Sequence, residues 1–292
     1  MAPRLLASKR PGFTLLELIV VILILAAVAA MVVPRLGWVE SRAGNSAAAN
    51  TIATLTSNLE VYKSSAGSYP LGFDSLIAGS ALYNNLWVHD AYPQIGPKFY
   101  LEARSFATTP SGAQWSASFG HSFSPAAAGS SYYVYDHSNS ASDPSSSANT
   151  VRNFATTGTF AFVKKTSGSE FTPPSSFAPG PSYYLGEFHR ALGYPPTSTT
   201  GGDGTTTITH TVPTTVELIA FGIGPNAGSG GETMVSAPRH LEQEPEFYGR
   251  YIAIFAVYSN GKPAELKGII DSQGGSVQGN ISDYMKAAPE HD

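Results

Sequence analysis

A carboxylate inside an apolar run is the group in this chain best suited to specific chemistry. Glu17 is the only charged residue in the segment 13–33. A charged side chain at the centre of a membrane helix costs about 2.5–3.5 kcal/mol on insertion scales, so it usually has a partner. The segment itself contains no Lys, Arg or His. Glu17 therefore either pairs with a cation from elsewhere, such as another subunit or a newly made amino terminus, or is solvated near the headgroups.

Patterns typical of catalytic or metal sites are absent or weak in the rest of the chain. No pair among the seven histidines has metal-ligand spacing, and no Gly-x-Ser-x-Gly motif occurs. The acidic cluster of Glu242, Glu244 and Glu246 is better explained as a solvated loop than as an acid–base site. The glycine-rich segment 222–228 follows a strand candidate, but its spacing differs from that of a dinucleotide loop and indicates a turn. We therefore predict no catalytic residue and no enzymatic activity.

The composition predicts a β-rich body with many loops. The chain has 292 residues, of which 42% are apolar and only 13% charged, and 29 Gly and 21 Pro favour turns. A net charge of -4 gives no large cationic field, so nucleic acid is not indicated as a partner. Since no cysteine occurs, disulfides and thiolate metal sites are excluded.

The N-terminal segment has the pattern of a single membrane span. Arg4, Lys9 and Arg10 precede the apolar segment 13–33, which predicts a cytoplasmic N-terminus and a body on the other side. As a helix, about 21 residues extend about 31 Å, enough to cross a bilayer core. A cleaved secretory signal ending within 26–30 is the alternative, but its apolar region is typically shorter, about 7–15 residues.

The junction before this span resembles a known processing signal. Gly12-Phe13-Thr14-Leu15-Leu16-Glu17 and the following apolar run resemble the N-terminus of type IV pilins and type II secretion pseudopilins. The resemblance implies that a prepilin peptidase removes residues 1–12 as a leader and that the new N-terminal Phe13 is methylated.

The same resemblance implies how the subunits would assemble. Glu17, the fifth residue after cleavage, would meet the terminal amine of an adjacent subunit in a filament. Pro34 matches the position where many helices of the family bend or unwind on assembly, as expected of a helical proline. The implied partners are other pilin-like subunits, the peptidase and an inner-membrane assembly platform. The implied location is the bacterial inner membrane, with a periplasmic head, and then an extracytoplasmic filament.

The helix is predicted to continue past the span and to end near residue 66. An apolar stripe at helical spacing predicts packing against a sheet; it comprises Ile52, Leu55, Leu59 and Tyr62. Gly67 and Pro70 then form a stop signal. The segment 59–70 is similar to the end of the long helix in type II secretion major pseudopilins, which implies a short helix near 73–77.

The remaining chain, 67–292, is predicted to be a β-rich head. Strand candidates are 130–135, 158–163, 215–221, 250–258 and 264–270, and Asn260-Gly261 predicts a hairpin turn between the last two. The Ser/Thr/Gly-rich segments 138–149 and 197–207 are predicted to be loops, either as decoration of the head or as a binding surface. The predicted fold class is α+β, with the long helix packed on an antiparallel sheet.

Calcium is the one cofactor that the sequence leaves open. Some relatives bind calcium near a glycine-rich turn that the segment 222–228 loosely resembles, yet only Glu232 supplies a carboxylate there. Asp271 and Asp283, in an oxygen-rich segment, are alternative calcium candidates. The main prediction is that no metal and no cofactor is bound.

Taken together, these patterns predict a structural subunit of a type II secretion pseudopilus that polymerises through its N-terminal helix. A type IV pilus subunit for adhesion, motility or DNA uptake is the alternative. A membrane-anchored enzyme or binding module is a third interpretation.

Overall fold

The structure is a computed structural model whose description covers part of the chain. The described residues are 15–70, 72–88, 96–105, 122–123, 133–135, 151–153, 159–164, 166–170, 192–194, 196–200, 206–210, 212–224, 237–240 and 247–277.

A long N-terminal helix, α1, spans Leu15–Ala66. Its predicted apolar stripe is confirmed at three positions: Ile52, Leu55 and Leu59 are 2%, 2% and 0% exposed, and Tyr62 is half-buried. The helix ends where the glycine predicts, because Gly67 adopts a φ of 76° and its N–H donates to the carbonyl of Lys63 at 2.8 Å. A glycine in this left-handed conformation is a common helix C-terminus.

Short helical and extended elements follow α1. The strands before residue 110 are β1 (Ile77–Ala78), β2 (Ala81–Leu82) and β3 (Leu101–Ser105), with the one-turn helix α2 (Pro97–Tyr100) before β3. The strands of the middle region are β4 (Tyr133–Tyr135), β5 (Val151–Asn153), β6 (Thr159–Val163), β7 (Thr166–Glu170), β8 (Pro196–Thr200) and β9 (Thr206–His210). The last three strands described are β10 (Val216–Gly222), β11 (Ile252–Tyr258) and β12 (Glu265–Ile270).

Five of these strands form the main antiparallel sheet, in the order β12-β11-β10-β6-β3. The longest pairing joins β10 to β11, from Val216 opposite Tyr258 to Gly222 opposite Ile252. The other pairings are β1 with β2, β4 with β5, and β9 with both β7 and β8. A long helix beside antiparallel sheets confirms the predicted α+β class.

Both faces of the main sheet are buried. One face packs against the stripe of α1, through Phe160, Phe162, Ile219, Phe221 and Phe255. The opposite face packs against the segment after α1, which contributes Leu76, Ile77, Tyr83 and Leu86. All seven residues of β10 are consequently buried. This explains why the strand is a nearly continuous apolar run, a pattern typical of strands covered on both faces.

The short helix expected at 73–77 is not formed. Asp74 instead pairs with Gly222 in an antiparallel bridge, with hydrogen bonds of 2.8 Å in both directions, and Ile77 begins β1. Leu76 has a φ of 59°, which is incompatible with a right-handed helix. Leu76 and Ile77 instead pack against the second face of the sheet.

The prediction of a loop at 197–207 is also wrong over much of that segment. Residues 197–200 belong to β8 and residues 206–207 to β9, which pair with each other from Thr200 opposite Thr206 to Pro196 opposite His210. Threonine is β-branched and favours extended structure, so a Thr-rich composition does not by itself predict a loop. The segment 138–149, predicted to be a loop, lies outside the described residues.

The other strand candidates are found as β4, β6, β10, β11 and β12. The Asn260-Gly261 turn lies between β11 and β12 as predicted, with a φ of 76° at Gly261. The connection is longer than a two-residue turn and spans residues 259–264. Within it, the side-chain oxygen of Asn260 accepts a hydrogen bond from the N–H of Lys262 at 3.1 Å.

The packing of α1 on the sheet predicts a strong difference between two neighbouring positions of the helix. Leu59→Ala should lower the free energy of unfolding by about 2–5 kcal/mol, because it leaves a cavity in the core. Val61→Ala, at a side chain that is 55% exposed, should change it by less than about 0.5 kcal/mol. Denaturant unfolding of the full chain in detergent measures both values, and equal losses would contradict the packing described.

Candidate assembly site

The N-terminal part of α1 presents apolar side chains in every direction. The large aliphatic residues between Leu15 and Val28 are from 44% to 78% exposed. Because successive residues of a helix are rotated by about 100°, this exposure extends around its whole circumference. A helix that is apolar all round is typical of a membrane or of a larger helical core. This apolar surface is the first part of the candidate assembly site.

Two of the residues predicted for processing and assembly, Glu17 and Pro34, lie in this helix. Glu17 lies in the first turn of α1, where a negative charge interacts favourably with the helix dipole. Position 34, occupied by proline, lies inside α1, which is continuous from Leu15 to Ala66. Gly12 and Phe13 lie outside the described residues, so cleavage and methylation at that junction stay predictions.

The length and apolar character of the described helices bear on whether the chain crosses a membrane. Within the part of the chain that the structure describes, no helix is both long and apolar enough to span a bilayer.

The hydroxyl of Tyr69 makes hydrogen bonds both to the other end of α1 and to the head. This hydroxyl donates to Glu60 Oε1 at 2.9 Å and accepts from Lys63 Nζ at 2.9 Å, both on α1. It also accepts from the backbone N–H of Leu266 on β12 at 3.0 Å. Burial raises the pKa of Tyr69 well above the usual range of a tyrosine, so the hydroxyl stays protonated. The sequence pattern identifies the helix end here but does not predict these contacts.

A buried polar pair, missed by the sequence analysis, joins the segment after α1 to the segment that leads into β11. The hydroxyl of Tyr248 donates to Asp74 Oδ2 at 2.7 Å, and Asp74 is fully buried. Burial and the charge of Asp74 raise the pKa of Tyr248 well above its usual value. A side chain at position 222 would overlap the Tyr248 hydroxyl, and one at position 224 would overlap the Asp74 carboxylate. The Gly-x-Gly at the end of β10 is thus the sequence signal of this close approach.

The carboxylate of the calcium candidate Asp271 accepts hydrogen bonds within its own loop. Its Oδ1 accepts hydrogen bonds from the N–H groups of Gln273 and Gly275, at 2.9 and 2.8 Å. Its Oδ2 lies 3.7 Å from His240 Nε2, and the other ring nitrogen of His240 lies 2.9 Å from the hydroxyl of Ser272. The described residues contain no group of three or more His, Cys, Asp or Glu that could hold a metal. The prediction of no metal and its calcium alternative both stay predictions, since Asp283 lies outside these residues.

His240 lies within hydrogen-bond distance of Ser272 and 3.7 Å from Asp271, but the three residues do not form an open catalytic site. Ser272 is only 1% exposed, so in this structure a substrate has no access to its hydroxyl. The contacts connect the segment 237–240 to the loop after β12. The acidic cluster of Glu242, Glu244 and Glu246 lies outside the described residues.

A cluster of charges stabilises the β11–β12 connection. Glu265 receives hydrogen bonds from Tyr258 at 2.6 Å and from Lys267 at 3.2 Å, and Lys262 lies 2.6 Å from its other oxygen. The hydrogen bonds from Lys262 and Tyr258 lower the pKa of Glu265 to about 2. The carboxylate therefore remains ionised through the range in which an ordinary glutamate becomes protonated.

Comparison with known proteins agrees with the N-terminal prediction. Residues 7–33 match the model of the prokaryotic N-terminal methylation motif. The chain therefore carries a prepilin-type N-terminal signal, as Gly12 and the following apolar run predict. No solved structure gives a significant match to the chain.

Among curated proteins, the chain is similar to type II secretion system core protein G. It is 38% identical to that of Escherichia coli (strain K12) over 78 residues, 26% of this chain and 54% of the relative. It is 42% identical to that of Dickeya chrysanthemi over 62 residues (21% and 40%), and 39% identical to that of Aeromonas hydrophila over 72 residues (24% and 50%). The match thus spans about half the length of these relatives, and most of the head lies outside it.

The low pKa of Glu265 predicts a pH-dependent contribution to stability. Glu265→Gln should lower the free energy of unfolding by about 0.5–1 kcal/mol at pH 7, since the partly exposed pair is screened by solvent. Because the pKa is lowered from 4.5 to about 2 on folding, this contribution is complete above pH 4.5 and disappears as the pH falls to 2. Urea unfolding of both proteins across this range measures it.

Glu102→Gln is the control, because Glu102 is farther from its partner, at 3.6 Å from Arg104 Nε. Glu102→Gln should change the free energy of unfolding by less than Glu265→Gln does at every pH. A difference for Glu265→Gln that stays constant from pH 7 to pH 2 would contradict the prediction.

Proposed function

We propose that this chain is a structural subunit of a type II secretion pseudopilus and that it polymerises through α1 after cleavage between Gly12 and Phe13. The observation that carries the proposal is the apolar surface around the N-terminal part of α1. The methylation motif at residues 7–33 and the similarity to type II secretion system core protein G support the same conclusion. The similarity favours this type of filament over a type IV pilus.

The exposed aliphatic residues of α1 require an apolar environment outside the head. Burying one such side chain stabilises by about 1.5–3 kcal/mol, and the exposed large aliphatic residues of α1 begin at Leu15 and continue to Val28. The summed burial energy of these side chains exceeds the cost of about 3 kcal/mol for placing one carboxylate in a membrane. Glu17 therefore does not prevent insertion. We infer that residues 13–33 lie in the inner membrane before assembly and in the core of the filament afterwards.

The orientation follows from the charges before the span. Arg4, Lys9 and Arg10 favour a cytoplasmic N-terminus, which places the head in the periplasm. The Gly12-Phe13 junction then lies on the cytoplasmic side, where a prepilin peptidase would cleave it. An assembly platform in the inner membrane would next transfer the mature subunit to the growing filament.

Glu17 determines the register between neighbouring subunits in this proposal. Cleavage creates a terminal amine on Phe13, and this amine supplies the cation that the apolar segment lacks. A buried ion pair is a weak source of net stability, but losing one partner costs about 3–5 kcal/mol because the other charge stays buried. Subunits that add out of register are therefore disfavoured. The role is structural, and the proposal assigns no catalytic residue.

The processing step predicts a defined mature N-terminus. Mass spectrometry of the protein from cells with the prepilin peptidase should show a chain that begins with N-methylated Phe13. Gly12→Leu, which places a large residue at the cleavage junction, should leave the leader attached. Retention of residues 1–12 in the unaltered protein, or cleavage within 26–30, would overturn the proposed processing.

The register role predicts that the charge of Glu17 is needed for assembly and not for insertion. Glu17→Gln keeps the shape of the side chain, so membrane fractionation should find the variant in the membrane as usual. Filament yield, measured by shearing and immunoblotting, should fall by about tenfold or more, as expected for the loss of a buried partner. Glu102→Gln, on the head, should assemble normally. Normal assembly of Glu17→Gln would contradict the register role.

A further inference from the structure

The hydroxyl of Tyr69 lies where the end of α1, the segment after it and the edge of the main sheet meet. Its three polar partners are Glu60, Lys63 and the N–H of Leu266. The ring is 1% exposed and packs against Phe123 and Phe255, with centroid distances of 5.6 and 4.9 Å. A phenylalanine could make these ring contacts but not the hydrogen bonds to the helix and the strand.

The strand contacted by Tyr69 is at the edge of the sheet. Among the strands that the structure describes, β12 pairs only with β11, and the register shift between Ile254 and Phe255 leaves Lys267 without an opposite residue. Edge strands with available N–H groups are prone to wrong pairing unless they are covered. The Tyr69 hydroxyl supplies the acceptor for Leu266 at this irregular point.

The apolar contacts of α1 with the sheet fix its position less sharply than hydrogen bonds would. Contacts of Ile52, Leu55 and Leu59 are non-directional and so carry no preferred angle. Hydrogen bonds depend strongly on distance and angle. The Tyr69 hydroxyl makes such directional contacts with both α1 and β12.

We propose that Tyr69 is a positioning residue, whose hydroxyl fixes the end of α1 on β12 and so determines how the head is held on the filament-forming helix. This inference rests on the proposed function in one respect, that α1 is the polymerising element. Neighbouring heads contact each other correctly only when every head has the same position on its helix. The hydroxyl therefore serves assembly more than it serves the stability of the core.

Tyr69→Phe tests the inference in the full-length protein in detergent. Hydrogen–deuterium exchange of the Leu266 amide should become about tenfold faster, since its N–H loses its acceptor. Exchange in residues 60–66 of α1 should also increase, while the Ile254 amide in β11 should not change. Filament yield in cells should fall at least severalfold.

Two control variants separate positioning from a general loss of stability. Tyr258→Phe removes a hydroxyl that bonds Glu265 of β12 at 2.6 Å, and it should leave Leu266 exchange and filament yield unchanged. Glu60→Gln keeps an acceptor for the Tyr69 hydroxyl and should behave like the unaltered protein. Unchanged exchange at Leu266 in Tyr69→Phe, or an equal increase at Ile254, would overturn the inference.

Amide exchange at Leu266 and filament yield test separate parts of the inference. Faster exchange at Leu266 with a filament yield equal to that of Tyr258→Phe would overturn the role in assembly. If the unaltered chain formed no filament, the proposed function would fail, and the exchange of Leu266 would still decide whether Tyr69 fixes the helix.

Discussion

The structure depends on one helix that has to be buried in two different environments. Ile52, Leu55 and Leu59 of α1 are buried against the main sheet, whereas the residues from Leu15 to Val28 are exposed on every side. The first set completes the core of the head. The second set can be buried only by a membrane or by other helices. A folded head and an exposed apolar helix in one chain therefore favour assembly over a role as an independent soluble domain.

The burial of both sheet faces explains much of the arrangement around α1. Since β10 is buried at all seven positions, one helix cannot cover the sheet, and the segment after α1 has to cover the other face. This requirement draws Leu76 into a strained conformation, with a φ of 59°, and brings Asp74 against Gly222. The buried carboxylate is then bonded by Tyr248, as the cost of burying an isolated polar group requires.

The sequence predicted elements whose signals are local, and it missed contacts between distant residues. The stripe of α1, the stop at Gly67 and the apolar strands β10 and β11 follow from spacing and residue type alone. The prediction of a helix at 73–77 is wrong because the need to cover the second face of the sheet cannot be read from the residues of that segment alone. The prediction of a loop at 197–207 is wrong over much of that segment because Thr, unlike Ser and Gly, favours strands. Asp74 and Tyr248 are 174 positions apart, and no spacing rule connects them.

The polar contacts between α1 and the head matter more for their direction than for their energy. Burying the three stripe residues contributes several kcal/mol, at about 1.5–3 kcal/mol each, while one hydrogen bond contributes about 1 kcal/mol. Apolar packing therefore holds the helix on the head, but similar burial is reached in many slightly different positions. In the proposed assembly, the same limit applies to the aliphatic surface near Leu15, where the charge of Glu17 would distinguish one register from the next. In both proposals, apolar burial supplies the stability and one polar group at the end of the contact supplies the specificity.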